Sequence, residues 1–201
     1  MLTLYYAPRT RAVRVRWLLE ELALPYTLRR VAFAPPSERF FSQATPLGKL
    51  PTLEDGDVTI GESGAIVEYV IERHGGGWLA PPVGSPARGR YLHWLHFAEG
   101  TLSVPLSTIL WHTFYKGDAD QLPTVMADAR GRAHTTLAVV EDALQGREYL
   151  ADPGFTAADI MIAFGLTAAR VFGVLDERYP NLNAYLARLE ARPAFQRATA
   201  D

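Results

Sequence analysis

The sequence predicts two domains of different class: an α/β domain built on a four-stranded mixed sheet, followed by an all-helical domain. Three observations predict it. Up to residue 80, strand-like apolar runs alternate with amphipathic runs in the order β-α-β-α-β-β-α. Residues 81–86 read Pro-Pro-Val-Gly-Ser-Pro, a cluster of breakers that makes the clearest linker in the chain. Beyond it, residues 87–201 carry only helical periodicity. The expected boundaries are therefore 1–80, a linker at 81–86, and 87–201.

In the first domain, residues 2–6 are apolar and aromatic and read as a strand. Pro8 to Thr10 turns the chain, and a helix runs from Thr10 or Arg11 to about Ala23, with Val13, Trp17, Leu18 and Leu22 on its buried side. Residues 26–33 alternate Thr27, Arg29, Val31 with Leu28, Arg30, Ala32, as a second strand does. Pro35-Pro36-Ser37-Glu38 opens a short helix with Phe40 and Phe41 as its apolar contacts. Thr52 and Leu53 begin a third strand, Asp55-Gly56 is a two-residue hairpin signal, and Val58 to Ile60 pairs back. Glu62-Ser63 then opens a helix with Ile66, Val67, Tyr69, Val70 and Ile71 apolar, and Gly75-Gly76-Gly77 ends it. Parallel strands joined through a helix, then a hairpin, make a mixed sheet.

In the second domain, residues 87–112 form one long helical run that Pro105 must kink or split. Another run spans 123–144. Thr156-Ala-Ala-Asp159 has the shape of a capping box, with the shorter Asp in place of Glu. The residues from Ile160 to Val171 that follow are apolar almost all round, which marks the buried centre of this domain. Residues 180–192 form an amphipathic helix, and Pro193-Ala194-Phe195 starts a last turn.

Composition narrows the function classes. The 201 residues are 48% apolar and 21% charged with a net charge of −2, which favours neither nucleic acid nor a membrane surface as partner. No signal-peptide pattern is visible at the start, and no apolar run reaches the ~20 residues a bilayer span needs. A cytoplasmic location is the expectation. With no cysteine, thiolate and CxxC redox chemistry on the chain itself is excluded.

The stretch around the hairpin is the first candidate site. A cis Leu50-Pro51 bond would turn the main chain of Leu50 outward, free to pair with an extended ligand. Glu62 and Ser63 stand at a helix N-terminus, where free N–H groups, a hydroxyl and the dipole suit an anion. The competing reading is a plain Ser N-cap beside a trans proline. His93 and His96 are three apart, but no third ligand accompanies them, and no metal is expected. No phosphate loop, dinucleotide fingerprint or nucleophile elbow is present.

The run Pro-Leu-Gly-Lys-Leu-Pro at 46–51, with Glu-Ser-Gly-Ala-Ile at 62–66, resembles the glutathione-binding signature of the glutathione transferase family. The opening Thr-Leu-Tyr-Tyr-Ala-Pro-Arg-Thr-Arg and Arg-Trp-Leu-Leu-Glu-Glu-Leu resemble that family's first strand and helix. The likeness covers nearly the whole chain and is greatest to bacterial and fungal members. It implies a thioredoxin-like first domain and glutathione as co-substrate. The implied reaction adds its thiolate to a small hydrophobic electrophile, in detoxification, by a homodimer. Glutathione peroxidase or dehalogenase activity at the same site, or a non-catalytic binding module, are the alternatives.

The resemblance also assigns roles. Lys49 meets the glycyl carboxylate, the main chain at Leu50 and Pro51 pairs with the peptide, Ser63 takes the γ-glutamyl carboxylate and Glu62 its amino group. Arg39 is a weak second cation for the glycyl end. A free thiol titrates near ~8.5, and lowering that by about two units needs ~2.7 kcal/mol of thiolate stabilisation. A hydroxyl, a positive charge and a helix N-terminus are the means. Tyr5 takes the hydroxyl role in one alignment and Thr10 in another, with Arg11 adding positive potential. Tyr5 and Tyr6 face opposite sides of a strand, so at most one serves. Trp94, Phe97 and Trp111 would line the electrophile pocket, and Glu99 would reach the partner subunit's glutathione.

Overall fold

The computed structural model describes residues 1–32 and 45–200. The expected helix at Pro35, its Phe40 and Phe41, the end of the second strand at Phe33 and Arg39 lie outside the described residues. The chain divides into two compact units, Met1–Ala80 with Ala191–Asp201, and Pro81–Glu190. This corrects the expected boundaries at the C-terminus: the last helix belongs with the first unit.

In the first unit, β1 (Leu2–Tyr6) lies between β2 (Tyr26–Arg30), parallel to it, and β3 (Thr52–Asp55), antiparallel; β4 (Val58–Ile60) pairs with β3 at the edge. The sheet order β2-β1-β3-β4 is the mixed four-stranded sheet that the pattern predicts. The hairpin is one residue out from its expected position. Asp55 pairs with Val58, so the two-residue loop is Gly56-Asp57, and only Gly56 adopts positive φ, at 61°. A turn that needs positive φ at its first central position alone satisfies this sequence with one glycine.

The helix α1 (Ala12–Glu21) buries Ala12, Arg14, Val15, Trp17, Leu18 and Leu19. Val13 and Leu22, expected on that face, are only half-buried, and Arg14 stands where an apolar side chain would be expected. The helix α2 (Ser63–Arg73) buries Ser63, Ile66, Val67, Val70 and Ile71. Its C-terminal end is tied to the hairpin, since Tyr69 (3.0 Å), Arg73 (3.2 Å) and His74 (2.6 Å) all reach one carboxylate oxygen of Asp55. The His74 hydrogen bond holds the Asp55 carboxyl below the usual carboxylate range.

In the second unit, Ser85 caps α3 (Pro86–Phe97) and Pro86 is its first residue, so the helix begins inside the expected linker. The long run then resolves at Pro105. The helix widens to a π turn over Ala98–Leu102 and continues as α4 (Ser103–Leu110), with Pro105 just past the widened turn. A second π turn, Trp111–Lys116, ends at Gly117 with φ 66°. The helices α5 (Pro123–Ala143), α6 (Ala157–Val171) and α7 (Pro180–Glu190) complete the unit.

The unit is built around α6, ten of whose residues are buried. Its capping box forms. Asp159 accepts from the Thr156 N–H (2.7 Å) and hydroxyl (3.1 Å), from the Leu150 N–H (3.1 Å) and from the Tyr185 hydroxyl (2.6 Å). Burial pushes the Asp159 carboxyl up, against four donors that favour its ionised form.

Gly165 is the closest approach on this helix. A Cβ there would lie 2.6 Å from Cδ2 of Leu102, itself fully buried in the π turn. Overpacking costs about 1–3 kcal/mol, whereas helix propensity returns at most about 1 kcal/mol. Gly165→Ala is therefore expected to lower thermal stability by a few degrees, measurable as a drop in Tm, although the same exchange in an open helix raises it.

The helix α8 (Pro193–Thr199) packs on α1. Trp17 meets Phe195 edge-to-face at 4.9 Å and donates from its ring nitrogen to Glu21 at 2.9 Å. Arg192 clasps the same carboxylate with two bonds, 2.6 and 2.9 Å, and Arg197 reaches Glu20 at 2.7 Å.

Candidate functional site

The candidate residues of the first unit come from the end of β1, the turn into α1, the start of β3 and the start of α2. The sheet register brings two of these together. Tyr5 is opposite Thr52, the residue after Pro51, so the tip of β1 lies beside the start of β3. The Leu50-Pro51 bond is cis. Below it, the carbonyl of Lys49 accepts from the hydroxyls of Thr45 (3.2 Å) and Thr52 (2.7 Å), which fixes the loop where it enters the strand.

Two further contacts join this loop and α1 to the start of α2. The Lys49 ammonium lies 3.8 Å from the Glu62 carboxylate; both side chains are largely exposed, so the pair constrains neither strongly. Glu62 has φ 59°, a left-handed value rare outside glycine, and aims the chain into α2 at that cost. In the first turn of α1, Arg14 is 1% exposed and donates from Nη1 to Oγ of Ser63 at 3.1 Å. Ser63 is 4% exposed. Its hydroxyl thus accepts from a buried guanidinium, at the end of a helix whose N–H groups carry partial positive charge.

The two candidate hydroxyls both have protein partners. Tyr5 is buried; its hydroxyl donates to Glu54 at 3.1 Å and accepts from Arg29 at 3.1 Å, and the Arg29 guanidinium lies 5.5 Å from its ring centre. These are neighbours on the same sheet face, Arg29 opposite Tyr5 and Glu54 opposite Thr3. Tyr6, on the other face, is also buried, with Arg16 and Arg30 at its ring. Thr10 is half-buried; its hydroxyl donates to the Ala7 carbonyl at 2.7 Å and accepts from the Ala12 N–H at 3.3 Å. It closes the turn before α1, as a helix-start threonine does. Arg9, in the same turn, has φ 61°.

The aromatic residues expected around the electrophile belong to the second unit. Trp94 is buried, with Phe97 at 5.2 Å and His93 at 4.8 Å between ring centres. Trp111 is half-buried and stacks on Tyr115 at 5.5 Å. Glu99, in the first π turn, accepts from Ser103 at 3.2 Å. Among the described residues no group of three or more His, Asp or Glu side chains is placed to hold a metal ion, and no helix is long and apolar enough to cross a membrane.

Comparison with known families decides the identity. Residues 4–78 match the glutathione S-transferase N-terminal domain, and residues 104–193 match the glutathione S-transferase C-terminal domain. The chain belongs to the glutathione S-transferase family. Among curated relatives, glutathione S-transferase 3 of Schizosaccharomyces pombe is 28% identical over 208 residues, covering 96% of this chain and 85% of that protein. Among solved structures, a glutathione transferase of Methylococcus capsulatus superposes with a TM-score of 0.82 at 26% identity, over 99% of this chain and 97% of its own. A glutathione transferase family member of Pseudomonas fluorescens, solved with two glutathione bound, gives 0.83 at 26% identity over 98% and 92%.

Sequence reading of this transferase-family chain missed Arg14, Arg29 and Glu54. Arg29 and Glu54 show only once the strands are in register. Arg14 had a signal: it stands three residues before Trp17 and four before Leu18, on the face that the helical period buries. A charge at such a position asks for a buried partner.

Proposed function

We propose that this protein binds glutathione in its first unit and conjugates the thiol to small hydrophobic electrophiles. The observation that carries the reading is the likeness, over nearly the whole of both chains, to the glutathione-bound Pseudomonas fluorescens family member. The chemistry of the first unit agrees with it. Ser63, next to Arg14, suits the γ-glutamyl carboxylate, Glu62 the amino group, and Lys49 the glycyl carboxylate. The start of β3 at Leu50 and Pro51 offers main chain to the extended tripeptide. Trp94, Phe97 and Trp111 are the proposed apolar surface for the electrophile, and a homodimer is the proposed assembly.

For the thiolate we assign Thr10 rather than Tyr5. Thr10 is half-buried in the turn that opens α1, so its hydroxyl can swing from the Ala7 carbonyl to a sulfur, with the α1 N-terminus and Arg11 adding positive potential. Turning Tyr5 would break bonds to both Glu54 and Arg29. In the reaction the thiolate forms a C–S bond with an aryl carbon, and the carbon–halogen bond breaks to release halide. Holding both reactants in place supplies the rest of the acceleration.

Thr10→Ala is expected to raise the pKa of bound glutathione by about one unit or more and to slow conjugation about tenfold at neutral pH. Tyr5→Phe should leave that pKa in place. Thiolate absorbance of the complex across pH checks both, and an effect confined to Tyr5→Phe overturns the assignment. The engagement of both hydroxyls by protein partners favours a second reading, a glutathione-binding module without turnover. Calorimetric binding of glutathione, with no conjugation of aryl halides and no reduction of hydroperoxides, would establish it.

A further inference from the structure

The guanidinium of Arg14 on α1 reaches α2, and it is nearly fully buried. A buried charge is costly unless its surroundings use it. Its Nη1 lies 3.1 Å from Oγ of Ser63. A serine hydroxyl has one proton and two lone pairs, whereas an arginine only donates. The bond to Arg14 therefore occupies a lone pair of Ser63 and leaves its proton to be given away. A carboxylate only accepts, so a hydroxyl fixed as a donor and polarised by a cation is matched to one.

We infer that Arg14 is a positioning residue for the γ-glutamyl carboxylate: it acts through Ser63, holding that hydroxyl as a donor and supplying buried positive charge, and so makes the site selective for ligands that carry this carboxylate. The inference rests on the glutathione reading above and deepens it. It gives α1 a binding role separate from the thiolate chemistry proposed for the turn before it.

The experiment compares two ligands by calorimetry: glutathione, and γ-aminobutyryl-cysteinylglycine, which lacks only the α-carboxylate. The ratio of their dissociation constants isolates the carboxylate. In the native protein glutathione is expected to bind at least about tenfold tighter, the scale of a charge-assisted hydrogen bond. In Arg14→Met the ratio should fall to about threefold or less, because glutathione weakens while the analogue moves by less than about twofold. Arg14→Lys, which keeps a cation and donors, should recover part of the ratio. Ser63→Ala should lower it as Arg14→Met does.

A purely structural role for Arg14 would weaken both ligands together and leave the ratio as in the native protein; that result overturns the inference. A native protein that binds neither ligand, or both equally, sinks the glutathione reading itself. Should Arg14→Met fail to fold, the native protein still decides. A buried cation is weakly screened, so the ratio should hold within about twofold between about 0.05 and about 0.5 M salt. A fall of about fivefold or more would assign the carboxylate to exposed cations and overturn the role of Arg14.

Discussion

Replacing Asp159 by alanine is expected to destabilise the second unit by about 4 kcal/mol or more, the largest effect of any single change here. The carboxylate is fully buried and serves four donors from three places: Thr156 at the start of α6, Leu150 in the loop before it, and Tyr185 on α7. Its removal leaves two main-chain N–H groups and two hydroxyls facing an apolar gap, each at about 1–3 kcal/mol if unsatisfied. It also removes the cap of the helix on which the unit is built. At about 2–4 °C per kcal/mol for a chain of this size, thermal denaturation followed by circular dichroism should show Tm lower by about 10 °C. Asp159→Asn keeps one acceptor oxygen but turns an NH2 group toward donors, so it should lie near alanine rather than near the native protein. A Tm within about one degree of native for either variant would mean that these bonds do not hold α6.

The second large effect is expected at Trp17. This side chain is 1% exposed, packs edge-to-face on Phe195 and donates to Glu21, whose carboxylate also receives Arg192. Truncating a buried tryptophan to alanine costs about 3–5 kcal/mol. The loss should fall first on α8, a helix of seven residues that is too short to persist without packing. Hydrogen exchange in Trp17→Ala is expected to show amides 193–199 losing most of their protection while β1 and β3 keep theirs. Undiminished protection across α8 would show that the Arg192 and Arg197 ion pairs hold it alone. Arg192→Ala separates the two terms and should have the smaller effect, since the buried Glu21 carboxylate keeps the Trp17 donor and the Trp17–Phe195 packing stays in place.

Most of the fold was legible because its signals are local. Strand runs and helical spacing placed all four strands and, among the described residues, the α-helices of both units to within a few residues. The Thr156/Asp159 box announced the central helix correctly, since capping depends on residues three apart. The geometry around the candidate residues was legible where it follows a contiguous motif: the cis Leu50-Pro51 bond and Ser63 at the start of α2. It was not legible where a side chain's partner comes from another strand or helix. Tyr5 illustrates this: alternation gives its face, but not that Glu54 and Arg29 stand beside it. The hairpin loop slipped by one residue for the same reason, as strand register belongs to the pair and not to either strand.

By itself, then, the sequence determined the order of the described elements, the change of class near residue 81 and the family signature, all of which rest on periodicity and neighbours within one turn. Only the tertiary structure decided that α8 returns to the first unit, that a π turn rather than a kink accommodates Pro105, and that a buried arginine on α1 holds the hydroxyl of Ser63. Each of these is a contact or adjustment set by packing between elements far apart in the chain, and local propensity carries no term for it.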